Sequence, residues 1–453
     1  MITADQLMTQ SLRDCSHGRL LAEIMASALR AVNPAVAVRQ TLRRDGNTLF
    51  VNDRHFPITG RVIVVGAGKA GAPMVEAVAA VLGDLVDAGL VIVKHGHLGA
   101  TGGQVGAITL VEGGHPVPNE RGVAAAERLA TLLADLHEND LVLVLLSGGG
   151  SALLTLPASD LTLADLQHLT TVLLRCGATI GEINTLRKHC TQLGGGQLAH
   201  RAAPATVVAL IVSDVVGSPL DVIASGPTVA DPTTFGDAWT IVERYQLQST
   251  LPPAISAHLR RGLAGDIAET PKLIAPGRVF NTIIASNAVA AEAALVAARE
   301  RGFNALLLTT FLEGEASAVG RIITALAREI ALHNQPLARP ALLVAGGETT
   351  VTLHGAGLGG RNQELALGAL AGLAELPNTV LIALATDGGD GPTDAAGAVV
   401  TGDTLRRAQT LGLDPNDFLR CNDAYHFFAA LDDLLRPGPT LTNVNDLLLI
   451  AVV

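Results

Sequence analysis

Two glycine-rich loops and a set of acids at the ends of apolar runs are the parts of this sequence equipped for chemistry. Gly66-Ala67-Gly68-Lys69-Ala70-Gly71 follows the β-branched run 61–65 and opens a helical pattern, the context in which this glycine spacing folds as strand, turn and helix. Lys69 falls in the first turn of that helix, where its ammonium adds to the amide donors and the helix dipole in holding a phosphoryl group. Ser147-Gly148-Gly149-Gly150-Ser151, after the run 141–146, is a second such loop, whose glycines let successive amides point into one concavity as an anion nest. The phosphate-binding candidates are thus Gly66, Gly68 and every residue from Ser147 to Ser151. Neither loop is a Walker A loop, because Lys69 is followed by Ala70 and the required leading glycine position holds Ile63. A dinucleotide site also needs an acid at the end of the next strand for the ribose hydroxyls, and that strand ends in Lys94 and His95.

Asp214, in Ser213-Asp214-Val215, comes directly after the run 206–212, where a carboxylate serves as a base, a metal ligand or the cap of a turn. The Gly, Ser and Pro residues around it point to a shaped surface. Glu348 in Gly346-Gly347-Glu348-Thr349, Arg361 after Gly359-Gly360, and the acids Asp387, Asp390 and Asp394 repeat the theme further on. Acids near strand ends with one arginine flanked by glycines suit Mg²⁺ and phosphate, since Mg²⁺ takes one or two carboxylates plus phosphate oxygens. His95, His97 and His115 have no third ligand at metal spacing and read as polar loop histidines. There is no GxSxG elbow and no Cys-His grouping for acyl transfer.

The elements that must position these residues follow from composition and periodicity. At 453 residues the chain is long enough for two large domains, and a content of 49% hydrophobic but 3% aromatic residues calls for the Ala, Val, Leu and Ile core of a helix-covered parallel sheet. A net charge of −11 and the scarcity of aromatics argue against nucleic acid as a partner. Mean hydropathy is high at +0.39, yet the longest uncharged stretch, 141–159, is broken by SGGGS, so no membrane span is expected. Asp5, Arg13 and Asp14 interrupt any secretory signal, and four cysteines without CxxC spacing read as reduced thiols of a cytoplasmic protein.

Leu20, Leu21, Ile24, Ala28 and Leu29 trace a buried helix face that ends at Asn33-Pro34, with irregular chain to about residue 55. Strands are expected at 61–65, 89–94, 141–146 and 206–212, alternating with helices such as 122–136 and 163–174. The polar, proline-bearing stretch 231–271, with Trp239 and Tyr245, reads as a bridge to a second α/β set with strands at 281–285, 304–308, 341–345 and 379–385. The apolar tail 447–453 reads as a last strand in that second sheet.

The motifs VVGAGKAG, GGHPVPNERG, SGGGSALL, INTLRKHC, SDVVGSPLDVIASGPTVADP, GGETTVTL, GGRNQELAL and ATDGGDGPTDAAGA occur in this order. Together they resemble the glycerate 2-kinase family, the class II glycerate kinases with a leucine-rich C-terminal module, over about residues 19–452; only 240–278 carries no family motif. The resemblance implies an α/β protein of two domains, a Rossmann-like, doubly wound parallel sheet over 1–238 and a smaller α/β domain over 239–453 with the leucine-rich module at about 340–450, and an active-site cleft between them. It implies an ATP-dependent, Mg²⁺-assisted phosphorylation of D-glycerate at the 2-hydroxyl, giving 2-phosphoglycerate and ADP. By motif, Lys69, Asp214 and Arg361 are then catalytic, Asn443 of TNVND joins the binding residues, and Glu348 and Asp387 hold the metal. Gly389 stands where the family pattern has a hydroxyl residue. Some family members carry the name hydroxypyruvate reductase; the missing ribose acid counts against such an NAD(P)-dependent alternative. The expected partner is a small molecule, not nucleic acid or a membrane, and a homo-oligomer is compatible with the sequence.

Overall fold

Continuous apolar runs ending in glycine-rich turns are the signature of strands buried on both faces, and the computed structural model, which describes residues 2–453 except for the side chain of Thr101, folds them that way. The chain divides into two compact units, one of residues 34–284 and one that joins residues up to 33 with 285–453. The first unit opens with an antiparallel sheet of β1 (Leu42–Asp45), β2 (Thr48–Val51) and β3 (Arg54–Pro57). These strands fall where irregular chain was expected; each has four residues, and Arg43, Arg44, Arg54 and His55 obscure the alternation that marks a strand.

Its main sheet comprises β4 (Val62–Ala67), β5 (Ala88–Lys94), β6 (Gln104–Val105), β7 (Ile108–Gly113), β8 (Leu141–Leu146), β9 (Thr206–Val212) and β10 (Val279–Ala285), in the order β10-β9-β8-β4-β5-β7-β6. The run from β9 through β8, β4 and β5 to β7 is parallel, and β6 closes the edge antiparallel to β7. Every residue of β4 and β8 is buried. From β4 the chain builds outward to β5 and β7, then returns to the other side of β4 for β8 and β9. The loops after β4 and β8, GAGKAG and SGGGS, therefore flank the point where the strand order reverses, which is where open parallel sheets bind ligands.

The second unit holds a mixed sheet of β11 (Asn304–Leu312), β12 (Ala341–Gly347), β13 (Thr379–Ala385), β14 (Gly397–Thr401), β15 (Leu434–Leu435) and β16 (Asp446–Val452), ordered β11-β12-β16-β13-β14-β15. The C-terminal strand β16 enters the middle of this sheet, antiparallel to β12 and β13. Helix Gly18–Ala31 buries Leu21, Ile24, Ala28 and Leu29 and packs on helix Asn287–Glu300.

Two expectations about domains are corrected by these contacts. The stretch 231–271 is no bridge: its helices Phe235–Arg244 and Pro253–Leu263 share an apolar cluster with helices Leu163–Arg175 and Ile180–Cys190 of the first unit, through Phe235, Val242, Ile255 and Leu259 against Leu169 and Leu186. The strand expected at 281–285 belongs to the first sheet, as β10 beside β9, so the units part at 284/285 and not at 238/239. Among the described residues no single helix is long and apolar enough to cross a membrane. Cys15, Cys176, Cys190 and Cys421 form no disulfide.

Candidate active site

In the first unit, the turn after β4 and the loop after β8 are tied to each other by their own backbone. Lys69 N–H donates to the Gly148 carbonyl at 2.9 Å, and Ala70 N–H donates to the buried Ser147 Oγ at 3.0 Å. Gly66 and Gly68 make this approach feasible, since a Cβ on either would lie 2.0 Å from Leu145 O or Ser147 Oγ. Both positions thus serve close packing of the turn. Gly150 likewise faces Ala224, and the Ser151 hydroxyl accepts a 2.9 Å hydrogen bond from Ser225 Oγ.

Gly148 and Gly149 remain to face chemistry. Their N–H groups donate to no acceptor among the described residues, and a Cβ on Gly148 would stand 2.1 Å from Asp214 Oδ2. A Cβ on Gly149, whose φ is +82°, would lie 2.8 Å from His115 Cδ2 and 3.4 Å from Lys69 Cε. Lys69, His115 and Asp214 therefore converge on two adjacent glycines. The Lys69 ammonium has no ion-pair or hydrogen-bond partner among the described residues. Burial pushes the Asp214 carboxyl above the usual range, with Lys69 pulling the other way. For His115, burial and then the charges of Lys69, Lys94, Arg187 and His97 lower the imidazole to about 4, so the ring is neutral at pH 7. The surroundings are cationic, as an anion site requires. His97 Nδ1–H donates to the Lys69 carbonyl at 3.0 Å, and His95 faces Glu112.

In the second unit, Arg361 opens helix Arg361–Leu373, and Asp390 caps that helix by accepting from the N–H of Asn362 at 3.1 Å and of Gln363 at 2.9 Å. Gly360 is required there, because a Cβ would lie 2.3 Å from Asp390 Cγ. Arg361 donates from Nε to Asp446 Oδ2 at 2.5 Å and from Nη2 to Asp446 Oδ1 at 3.0 Å, and its Nη1 lies 3.3 Å from Glu348 Oε1. Burial by itself lowers the guanidinium pKa, but Asp446 and Glu348 raise it above its ordinary value, so Arg361 stays cationic. Asn445 Nδ2 donates to Glu348 Oε2 at 2.8 Å, and Asn443 Oδ1 accepts from Asn445 N–H at 3.0 Å. Asp387, two residues past the end of β13, is exposed and accepts from Gly389 N–H at 3.0 Å. Open space surrounds Gly389, so the hydroxyl side chain of the family pattern has room there.

Among the described residues no three His, Cys, Asp or Glu side chains cluster as a metal cage. Mg²⁺ does not need one. Glu348 and Asp387 are exposed hard-oxygen donors, and one or two carboxylates completed by phosphate oxygens and water are its usual protein site.

The family model of a domain of unknown function, DUF4147, matches residues 20–260, and that of the MOFRL family matches 341–446. The glycerate 2-kinase of Pyrococcus horikoshii is 41% identical over 95% of this chain and 96% of its own length. A putative hydroxypyruvate reductase of Agrobacterium vitis is 42% identical over 96% of this chain and 94% of its own. The crystal structure of glycerate kinase from Thermotoga maritima superposes with a TM-score of 0.86, at 40% identity, covering 96% of this chain and 99% of that one. The chain belongs to the glycerate kinase family.

Within this member of the glycerate kinase family the structure groups Lys69, Gly148, Gly149 and Asp214 in one unit and Glu348, Arg361, Asp387 and Asn443 in the other. Three residues escaped the sequence reading. Asp446 and Asn445 sit in TNVND beside Asn443, where their burial gave no separate signal. His115 read as a loop histidine because nothing in the sequence places it against Gly149.

Proposed function

We propose that the protein transfers the γ-phosphoryl group of ATP to the 2-hydroxyl of D-glycerate, releasing ADP and 2-phosphoglycerate. The observation that carries this reading is the convergence of an unpaired lysine, two free amides and a carboxylate of raised pKa on Gly148 and Gly149. Phosphoryl transfer asks a protein mainly for positioning and charge stabilisation, and this arrangement offers both. Lys69 and the two amides hold the oxygens of the moving phosphoryl group. Asp214 orients the hydroxyl and takes its proton as the oxygen–phosphorus bond forms and the bond to ADP breaks; a raised pKa suits a base working near neutrality. The strand order, reversing beside β4, supports reading the first sheet as Rossmann-like and doubly wound, with these residues at its carboxyl ends.

Arg361, with its Nε–Nη2 edge held by Asp446, turns its remaining donors to phosphate or carboxylate oxygens. Glu348 and Asp387 hold Mg²⁺, which when bound neutralises phosphate charge, and Asn443 shapes the loop that carries Asn445 to Glu348. The enzyme acts in the cytoplasm on a free small molecule.

Regiochemistry tests the proposal. Enolase alone should consume the product; a product that needs phosphoglycerate mutase first replaces the 2-kinase reading with a 3-kinase. The reductase reading predicts NADH oxidation with hydroxypyruvate and no ADP from D-glycerate. The end of β5 at Lys94, without a ribose-binding acid, disfavours it.

A further inference from the structure

We propose that Arg187 binds the carboxylate of the acceptor and so selects hydroxy acids over uncharged polyols. The inference rests on the phosphorylation reading above. Arg187 lies in the last turn of helix Ile180–Cys190, and the other two basic residues of that turn have acidic partners: Lys188 stands 3.3 Å from Asp231 and 3.7 Å from Asp221, and His189 Nε2 3.3 Å from Glu269. Arg187 has none. Among the described residues its guanidinium makes one hydrogen bond, a long one of 3.5 Å from Nη2 to Thr170 Oγ1, and no carboxylate comes within ion-pair distance. A half-buried guanidinium without a counter-ion is costly, and burial depresses its pKa; a bound anion reduces that cost.

The cavity beside it says what kind of anion. Arg187, Ser151, Thr170, Thr191 and Ser225 line a space of about 20 Å³, room for one water-sized group such as a carboxylate oxygen. Among the described residues its walls carry these hydroxyls set among apolar side chains such as Leu154, Leu166 and Leu169, with Arg187 as the one charged group. One wall is the turn Ala224-Ser225-Gly226, where the two non-glycine residues adopt left-handed φ values of 49° and 61°, the kind of backbone strain that gathers at ligand sites. Ser151 also belongs to the SGGGS loop, so the cavity adjoins the place where Lys69 and Asp214 converge. The planar fork of arginine matches a carboxylate with two parallel hydrogen bonds. In D-glycerate the carboxylate and the 2-hydroxyl sit on adjacent carbons, so an acid anchored at Arg187 presents the 2-hydroxyl ahead of the 3-hydroxyl.

Steady-state ADP release by the full-length wild type, Arg187→Lys and Arg187→Gln, with each substrate varied against saturating partner, tests the assignment. Both variants should raise KM for D-glycerate by about tenfold or more and leave KM for ATP within about twofold, in keeping with the loss of a charge-assisted pair. The ratio of kcat/KM for D-glycerate to that for glycerol should fall in step. An unchanged KM for D-glycerate overturns the proposal, and equal rises for both substrates move Arg187 to the nucleotide. A wild type that makes no ADP from D-glycerate defeats the kinase reading instead; calorimetric titration of D-glycerate into wild type and Arg187→Lys then reads the subsite without turnover, and equal affinities overturn it. Circular dichroism establishes that each variant is folded; should Arg187→Gln not fold, Arg187→Lys, which keeps the charge and loses the fork, decides alone.

Discussion

Lys69 and Arg361 are both cations expected at phosphate, yet their surroundings predict different responses to substitution. Lys69 is held by its backbone at the β4 turn while its ammonium is unpaired, so Lys69→Ala should leave the fold intact and lower kcat by on the order of 10²-fold, as loss of a transition-state charge contact does. Near-native kcat would reduce this lysine to a packing residue. Arg361 is tied to Asp446 through two donors and reaches Glu348 with a third. A lysine there cannot span both carboxylates, and Arg361→Lys should lose about tenfold or more in kcat/KM with unchanged circular dichroism. His115 carries a pH signature. Its folded pKa of about 4 lies below the ordinary 6.5, so between those values the unfolded chain binds a proton that the folded one refuses. Stability contributed by the neutral ring is present above pH 6.5 and lost as pH falls toward 4. Urea midpoints of wild type should therefore decline relative to His115→Gln across that window; a constant difference would mean that the ring titrates normally.

At the scale of elements, loops are where sequence and structure part company. The parallel strands β4, β5, β8 and β9 were legible to within two residues because strands buried on both faces are unbroken apolar runs. The glycine loops were legible as well, but not the division of labour within them: Gly66 and Gly68 answer to Leu145 and Ser147, whereas Gly148 answers to Asp214. Only tertiary packing distinguishes these roles. Helices Phe235–Arg244 and Pro253–Leu263 read as a bridge because their buried faces are short and set among prolines and charges. Gly148→Ala probes the division directly. Its Cβ would overlap Asp214 Oδ2 at 2.1 Å, so the carboxylate must shift away from the loop. The variant should keep most of its stability and lose kcat by roughly the 10² typical of a misplaced acid–base group. Activity near wild type would show that Asp214 need not lie against this loop.

At the scale of the whole molecule, the chain is discontinuous in a way no local pattern announces. Residues 2–33 fold with 285–453, although 251 residues intervene. Helix Gly18–Ala31 was legible from its apolar spacing, but the face of helix Asn287–Glu300 that covers it was not, because an amphipathic stripe states how much it buries and not against what. This pairing makes a prediction about stability. Ile24 is fully buried, and Ile24→Ala leaves a cavity that should cost about 2–4 kcal/mol, in the usual range for truncating a core aliphatic side chain. Because the cavity opens in the core of the second unit, hydrogen exchange should quicken first in β11, β12 and helix Asn287–Glu300, while β4 and β8, in a core of their own, keep their protection. Hydrogen–deuterium exchange read by mass spectrometry at low denaturant decides the point. Faster exchange in β4 and β8, with β11 and β12 unaffected, would assign the N-terminal helix to the other core and overturn the division of the chain at residue 33.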